Sequence, residues 1–268
     1  LKGLAVECIR PDWPSPARVR ALVTTRGLGA RPGQGSGGAV GGSDAPFDRF
    51  NLASHVGDDE AKVAANREQL RAILPQEPRW LNQVHGVAVF EADDSPPAAQ
   101  PNGAVPEADA AVTRSPGRVL AIMTADCLPV LMCDRKGEVV AVAHAGWRGL
   151  AAGVVERALQ AMRVPAADVI AWLGPAIGPE AFEVGQDVVD AFVREDAESG
   201  ACFRARGPGK YLADLYGLAR RRLVRAGVDS ISGGEFCTYR DADRFYSYRR
   251  DGRTGRMASL VWIEGSAH

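Results

Sequence analysis

A charge excess is the first thing the sequence lacks. Its 268 residues carry 32 lysines and arginines against 33 aspartates and glutamates, a net charge of -1 with histidine neutral. Nothing there supplies the broad positive field that holds nucleic acid or an anionic membrane surface, so neither is expected as a partner and a small molecule is. Long apolar runs are missing too: no stretch approaches the roughly 20 residues a membrane span needs. The opening LKGLAVECIRPDWPSP lacks the basic-then-apolar order of a secretion signal, and a cytoplasmic protein is the expectation. The five cysteines, Cys8, Cys127, Cys133, Cys202 and Cys237, are scattered, odd in number and without a CxxC pair, which argues for reduced thiols. No GxGxxG fingerprint follows a strand pattern, which argues against a dinucleotide cofactor. Near-zero net charge neither favours nor forbids dimers, and a monomer is the expectation.

What is present is enough apolar material for a core. With 46% hydrophobic and 24% charged residues the composition is that of a globular protein, expected as one domain over residues 1–268. RVRALVTTR reads as a strand and runs into a glycine-rich stretch, about residues 27–46, expected to be a mobile loop, either a surface insertion or a lid over a site. DDEAKVAANREQLRAIL sets Val63, Leu70 and Leu74 at helical spacing behind acidic residues. RWLNQVHGVAVFEA alternates like a strand. RVLAIMTA, LPVLMCD and VVAVAHAG read as consecutive buried strands, with RKGE as the turn between the last two. RGLAAGVVERALQAM is expected as one helix, DVIAWLGPAIG as a strand and turn, and GQDVVDAFVRED and LADLYGLARRRLVRAG as helices. FYSYRRDGRTGRMASLVWI reads as a closing hairpin around Gly252 and Gly255. Strand-strand and strand-helix units are mixed, so the fold class expected is α+β, with mixed sheets, rather than a doubly wound Rossmann fold.

Histidine is scarce: His55, His85, His144 and the terminal His268 are all there are. His85 in NQVHG and His144 in AVAHAGWRG both stand where an apolar strand gives way to glycine, a place where sheets present functional groups. Taken singly, each reads better as a histidine satisfied by a backbone hydrogen bond. With Cys127, at the break in TADCLPV, they form a possible His, Cys, His set of the kind that suits zinc, leaving a fourth position open. The long spacing matches no compact zinc motif. Cys133 reads as core, because six residues of strand would carry it roughly 20 Å from Cys127. Adjacent residues of a strand point to opposite faces, so Asp126 and Cys127 can share a site only if the chain leaves strand geometry, for which Pro129 is an opening. Asp126 reads either as a carboxylate that orients a ligand or exchanges a proton, or as a turn residue. Arg148, at the start of a helix after a glycine turn, reads as an anion contact or as a surface arginine paired elsewhere. Trp147 could stack on a base or simply pack. Arg26 and Asn51 flank the glycine-rich stretch and could line the same cleft.

Read together, NQVHG, TADCLPVL, HAGWRGL, GPAIGPEAFEVG and CTYRDADRFYSYRRDGRTGRMASLVWI resemble the YfiH family, described variously as laccase-like polyphenol oxidase, purine nucleoside phosphorylase and peptidoglycan editing factor. The resemblance runs from VTTR nearly to the C-terminus. It implies a layered sandwich of mixed β-sheets flanked by helices, with zinc held by His85, Cys127 and His144. It implies phosphorolysis of adenosine, inosine and methylthioadenosine, with adenosine deamination as a further activity, so that nucleoside and phosphate are the expected ligands. Asp126, Arg148 and Cys127 are then the candidate catalytic residues, and Arg26, Asn51, Gln83, Trp147 and Arg148 the candidate substrate contacts. Many relatives have a cysteine pair where this chain has Glu180 and Ala181, and a shorter glycine-rich segment. A multicopper oxidase ligates four coppers mostly through histidine, more than four histidines can serve, although copper could occupy a His, Cys, His site in vitro. The laccase label is therefore disfavoured, and the competing classes are a cysteine-dependent hydrolase or amidase and a precursor-editing factor. The deaminase pattern HxE with PCxxC is absent.

Overall fold

The apolar runs of the central region become strands buried on both faces, and that decides the layering. The computed structural model describes residues 7–27, 42–94 and 105–265. In chain order its elements begin with β1 (Cys8–Ile9), β2 (Val19–Thr24), α1 (Glu60–Arg71), β3 (Val89–Glu91), β4 (Ala110–Thr113), β5 (Leu120–Thr124), β6 (Leu128–Asp134) and β7 (Val140–Ala145). There follow α2 (Trp147–Ala152), α3 (Val154–Met162), β8 (Val169–Leu173), β9 (Glu183–Gly185), α4 (Gln186–Val193), β10 (Phe203–Gly207) and β11 (Lys210–Ala213). The last elements are α5 (Leu215–Arg225), β12 (Ser230–Gly233), α6 (Tyr248–Asp251) and β13 (Met257–Ile263).

The strands form a mixed six-stranded sheet in the order β12-β8-β6-β7-β4-β3, a four-stranded sheet β1-β2-β13-β5, and a small sheet β10-β11-β9. Side chains alternate along a strand with period two. In β6, Leu131 and Cys133 therefore face one way, onto Leu120 and Ile122 of β5 and Val261 of β13, joining the two larger sheets face to face. Leu128, Val130 and Met132 face the other way, where α3 and α5 cover the six-stranded sheet with Val155, Leu159, Leu218 and Leu223. The outer face of the four-stranded sheet packs Ala121, Met123, Leu260 and Trp262 with Leu70 of α1 and the adjoining Leu74. Helix, sheet, sheet, helix is thus the layer order, the mixed α/β architecture expected. Each fully buried aliphatic side chain in such a core contributes about 1.5–3 kcal/mol. Cys133 is fully buried, as read from sequence, and burial pushes its thiol up to about 12.

Several expectations give way. RGLAAGVVERALQAM is two helices, because Gly153 takes a left-handed conformation (φ 99) that ends α2 and starts α3. RWLNQVHGVAVFEA is not one strand: Arg79 and Asn82 make isolated bridges, His85 turns the chain at φ 62, and only β3 is regular. The closing hairpin is absent. Ser247 accepts a hydrogen bond from Arg250 N and caps the short α6, so β13 pairs instead with β2 and β5. Most of the glycine-rich stretch, residues 28–41, and His268 lie outside the described residues. Among those described, no helix is long and apolar enough to cross a membrane.

Candidate metal centre

Two strand ends and one turn bring His85, Cys127 and His144 together. β6 and β7 pair antiparallel with Leu128 opposite Ala145 and Pro129 opposite His144, so Cys127, immediately before β6, comes beside the end of β7. The chain leaves strand geometry as the separate-faces argument requires, though at Asp126 (φ 97) and not at Pro129, which lies within β6. That turn carries the chain from the four-stranded sheet (β5) to the six-stranded one (β6). His85 enters from the loop before β3. The three ligand atoms lie within 4.8 Å of one another, and His85 Nε2 is 3.6 Å from Cys127 Sγ. The glycines around His144 make room: a Cβ on Gly146 would stand 2.7 Å from the His85 ring and 3.0 Å from the sulfur, and one on Gly149 would stand 2.8 Å from Gly86 O.

Asp109, which the sequence reading passed over, organises this corner. It precedes β4, whose pairing with β7 puts it next to His144. Its fully buried carboxylate accepts from His144 Nδ1 (2.7 Å) and His85 N (2.9 Å) through Oδ1, and from Gly86 N (2.7 Å) and Val84 N (3.2 Å) through Oδ2. One anion therefore fixes the ring orientation of His144, leaving its Nε2 for a ligand, and holds the backbone of the His85 turn. Burial alone would raise the Cys127 thiol, but the charge and hydrogen bond of His144, followed by His85, outweigh it and bring it down to about 6. The His144 imidazole moves the opposite way: burial lowers it, while Cys127 and Asp109 raise it further than burial depresses it. The two titrate as a thiolate–imidazolium pair.

Two imidazoles and a thiolate are donors that fit one borderline-soft ion such as zinc. Tetrahedral coordination with bonds of about 2.0–2.1 Å to nitrogen and about 2.3 Å to sulfur puts those donors roughly 3.5 Å apart; His85 Nε2 and Cys127 Sγ stand at 3.6 Å, and all three donors lie within 4.8 Å of one another. Among the described residues this is the one group of three or more potential ligands, so they offer donors for a single ion and not for a copper cluster.

The donors open into a cavity of about 460 Å³. Gln83, Asp126, Trp147 and Arg148 line it, whereas Arg26 and Asn51 are not among its lining residues. Arg26 is engaged with Asp48, the Ala242 carbonyl and the face of Tyr246. Asn51 is fully buried and holds Ala53 N, Asp58 and Arg256 N. Gln83 clamps Met123, donating to its carbonyl and accepting from its N–H. Each oxygen of Asp126 already accepts a hydrogen bond of 2.6 Å, one from the Thr238 hydroxyl and one from Arg249 N, tying the C-terminal segment to the cavity wall. Arg148 is exposed and stacks on Trp147 with 4.5 Å from guanidinium to ring centroid. The six-residue α2 thus presents these two side chains to the cavity mouth. Sequence reading missed His55, Phe182, Tyr248, Arg249 and Arg256, which also line it. Glycine turns around Arg249 and Arg256 were the available signal, and they read as a hairpin.

A family model described as multi-copper polyphenol oxidoreductase laccase matches residues 36–264. The chain belongs to the YfiH family. A Pseudomonas aeruginosa protein named purine nucleoside phosphorylase is 53% identical over 257 residues, covering 96% of this chain and 98% of that one. Escherichia coli YfiH, also named purine nucleoside phosphorylase, is 48% identical, covering 95% and 98%. A solved YfiH-family structure from Neisseria meningitidis superposes with TM-score 0.87 at 47% identity, covering 96% of this chain and 99% of that one. The family resemblance read from the motifs therefore holds. The plural copper in the family description finds no second donor group among the described residues of this YfiH-family chain.

Proposed function

We propose that this protein is a metal-dependent purine nucleoside phosphorylase, splitting a purine nucleoside with inorganic phosphate into free base and ribose 1-phosphate. The observation that carries the reading is one cavity with three kinds of wall, beside relatives that bear that name. Ile177, Phe182, Leu215 and Trp147 give apolar surface for a base, and Arg148, Arg249 and Arg256 give cationic groups for phosphate. The donor group lines the same cavity. A cavity of about 460 Å³ falls within the roughly 300–1,000 Å³ of small-molecule sites. Zinc held by His85, Cys127 and His144 would supply a Lewis-acid position for a substrate oxygen. The residues of the chain do the remainder: the apolar wall orients the base, the arginines hold the attacking phosphate in line with C1′, and the positive lining stabilises charge on the departing purine.

The test is incubation of metal-analysed protein with adenosine, inosine or methylthioadenosine, with and without phosphate. Phosphate-dependent release of base with ribose 1-phosphate is expected; no base release, or release independent of phosphate, sinks the reading. Adenosine deamination shows in the same assay as inosine formed without phosphate.

A second reading has its own observation: Cys127, His144 and Asp109 follow one another as nucleophile, base and orienting acid do in a thiol hydrolase. A second imidazole, His85, within 3.6 Å of the sulfur and in edge contact with the His144 ring, favours the metal site instead. Stoichiometric metal that disappears on Cys127→Ala supports the ligand role; a metal-free, active wild type supports the hydrolase.

A further inference from the structure

We propose that Arg256 carries the anion subsite of this cavity, its free guanidinium edge receiving an oxyanion in two parallel hydrogen bonds. That the oxyanion is inorganic phosphate rests on the phosphorylase reading. Arg256 precedes β13 and is held from two directions. Its backbone N–H donates to Asn51 Oδ1 at 3.0 Å, and its Nη1 donates to the carbonyls of Thr254 (2.9 Å) and Gly255 (3.0 Å). Those bonds fix the plane of the guanidinium and leave the opposite edge, Nε and Nη2, with no acceptor among the described residues. No carboxylate there comes within ion-pair distance of it. That edge is the fork that matches two oxygens of a phosphate or carboxylate.

Arg256 is half-buried and lines the cavity. Burial depresses its pKa, only partly countered by Cys127 and Asp126, so the cation is held out of water without a full counter-ion. Asp126, the carboxylate lining the cavity, already has one bond on each oxygen, from Thr238 and Arg249 N. A desolvated, oriented and unpaired guanidinium is costly unless a ligand completes it. The other two arginines of the wall differ. Arg148 is exposed and stacked on Trp147, and Arg249 is exposed, lies over Phe182 at 5.4 Å and spends Nη1 on the Glu183 carbonyl. Both stand where water screens them; Arg256 does not.

The experiment measures inorganic phosphate binding directly, by calorimetry with and without nucleoside, alongside steady-state kinetics, for wild type, Arg256→Gln, Arg256→Lys and Arg148→Gln. Loss of a charge-assisted bidentate contact predicts that Arg256→Gln weakens phosphate binding, and raises its KM, about 10- to 100-fold. Metal content and nucleoside KM stay close to wild type. Arg256→Lys, which keeps the charge and loses the fork, falls between, and it decides the matter if the glutamine variant melts. Arg148→Gln shifts phosphate binding less than Arg256→Gln. Unchanged phosphate affinity in the Arg256 variants, or a larger loss from Arg148→Gln, overturns the subsite and leaves the phosphorylase reading standing. Phosphate binding that depends on Arg256 in a protein that turns over no nucleoside overturns the phosphorylase reading and leaves the subsite standing. A wild type that binds no phosphate in either condition overturns the subsite.

Discussion

The cavity has two walls built on opposite terms. On the inner wall, Cys127 and His144 sit at strand ends of the six-stranded sheet with the buried Asp109 behind them, and the polar atoms of Asp109 and His144 Nδ1 are satisfied within the protein. On the outer wall, Tyr248, Arg249 and Arg256 belong to the segment between the last loop and β13, more exposed, with donors left over. A preorganised wall suits an ion that demands fixed donors; a wall with spare donors suits a ligand that comes and goes. The two are joined at Asp126, whose left-handed turn starts the inner wall and whose carboxylate holds the outer one.

Removing a donor from the inner wall is the strongest way to break that contrast. Cys127→Ala or His144→Ala is expected to abolish stoichiometric metal, measured by elemental analysis after dialysis, whereas the Arg256 variants keep it. A metal-retaining Cys127→Ala would mean that the sulfur is not a ligand. The thiol also reports its surroundings in metal-free protein. Because its pKa is depressed to about 6, the thiolate predominates at pH 7, and alkylation slows as pH falls through about 6. An ordinary thiol near 8.5 would still be gaining reactivity at pH 8. Iodoacetamide labelling of Cys127 followed by peptide mass analysis gives the profile, and added zinc is expected to protect it. A midpoint near 8.5 would sink the thiolate–imidazolium pair.

Asp109 gives the next largest effect. In Asp109→Asn the amide keeps one acceptor oxygen for two of the four N–H donors, and its NH2 group faces the other two. Loss of such an orienting partner is expected to weaken metal affinity about 10- to 100-fold, and an unsatisfied buried group to cost about 1–3 kcal/mol of stability. Chelator competition and thermal melting read the two separately. A variant that loses stability while keeping its metal affinity would make Asp109 a scaffold for the His85 turn alone.

What the sequence made legible follows this division. His85, Cys127 and His144 stood out because each interrupts an apolar strand pattern beside a glycine or a turn, and an interruption of period two is visible in one dimension. Asp109 was invisible, since an aspartate before AAVT looks like a loop residue until β4 is known to pair with β7. The central strands read correctly because both faces are buried and the runs are continuously apolar. The pair β10 and β11 was missed for the opposite reason: FRARG is mostly exposed, with arginines at Arg204 and Arg206, and backbone pairing gives no side-chain period. Arg256 was hidden behind turn residues that suggested a hairpin, where the capping hydroxyl of Ser247 had made a helical turn instead.

Gly153 separates sequence from structure with the smallest effect and an opposite sign. As the middle of one helix, residues 148–162, it would be a defect, and Gly153→Ala would stabilise by up to about 1 kcal/mol from propensity. As the left-handed junction between α2 and α3 (φ 99), it cannot take a Cβ without backbone strain, and the same substitution destabilises by about 1–2 kcal/mol. Space is not the issue, because the nearest atoms to that Cβ would be Glu156 Oε2 at 3.6 Å and Arg222 Nη2 at 3.7 Å. Thermal melting of the metal-loaded protein decides the sign. A raised melting temperature would mean that one continuous helix runs from Trp147 to Met162. A lowered one with metal content intact would mean that α2 is set apart from α3, free to carry Trp147 and Arg148 to the mouth of the cavity while the inner wall stays as it is.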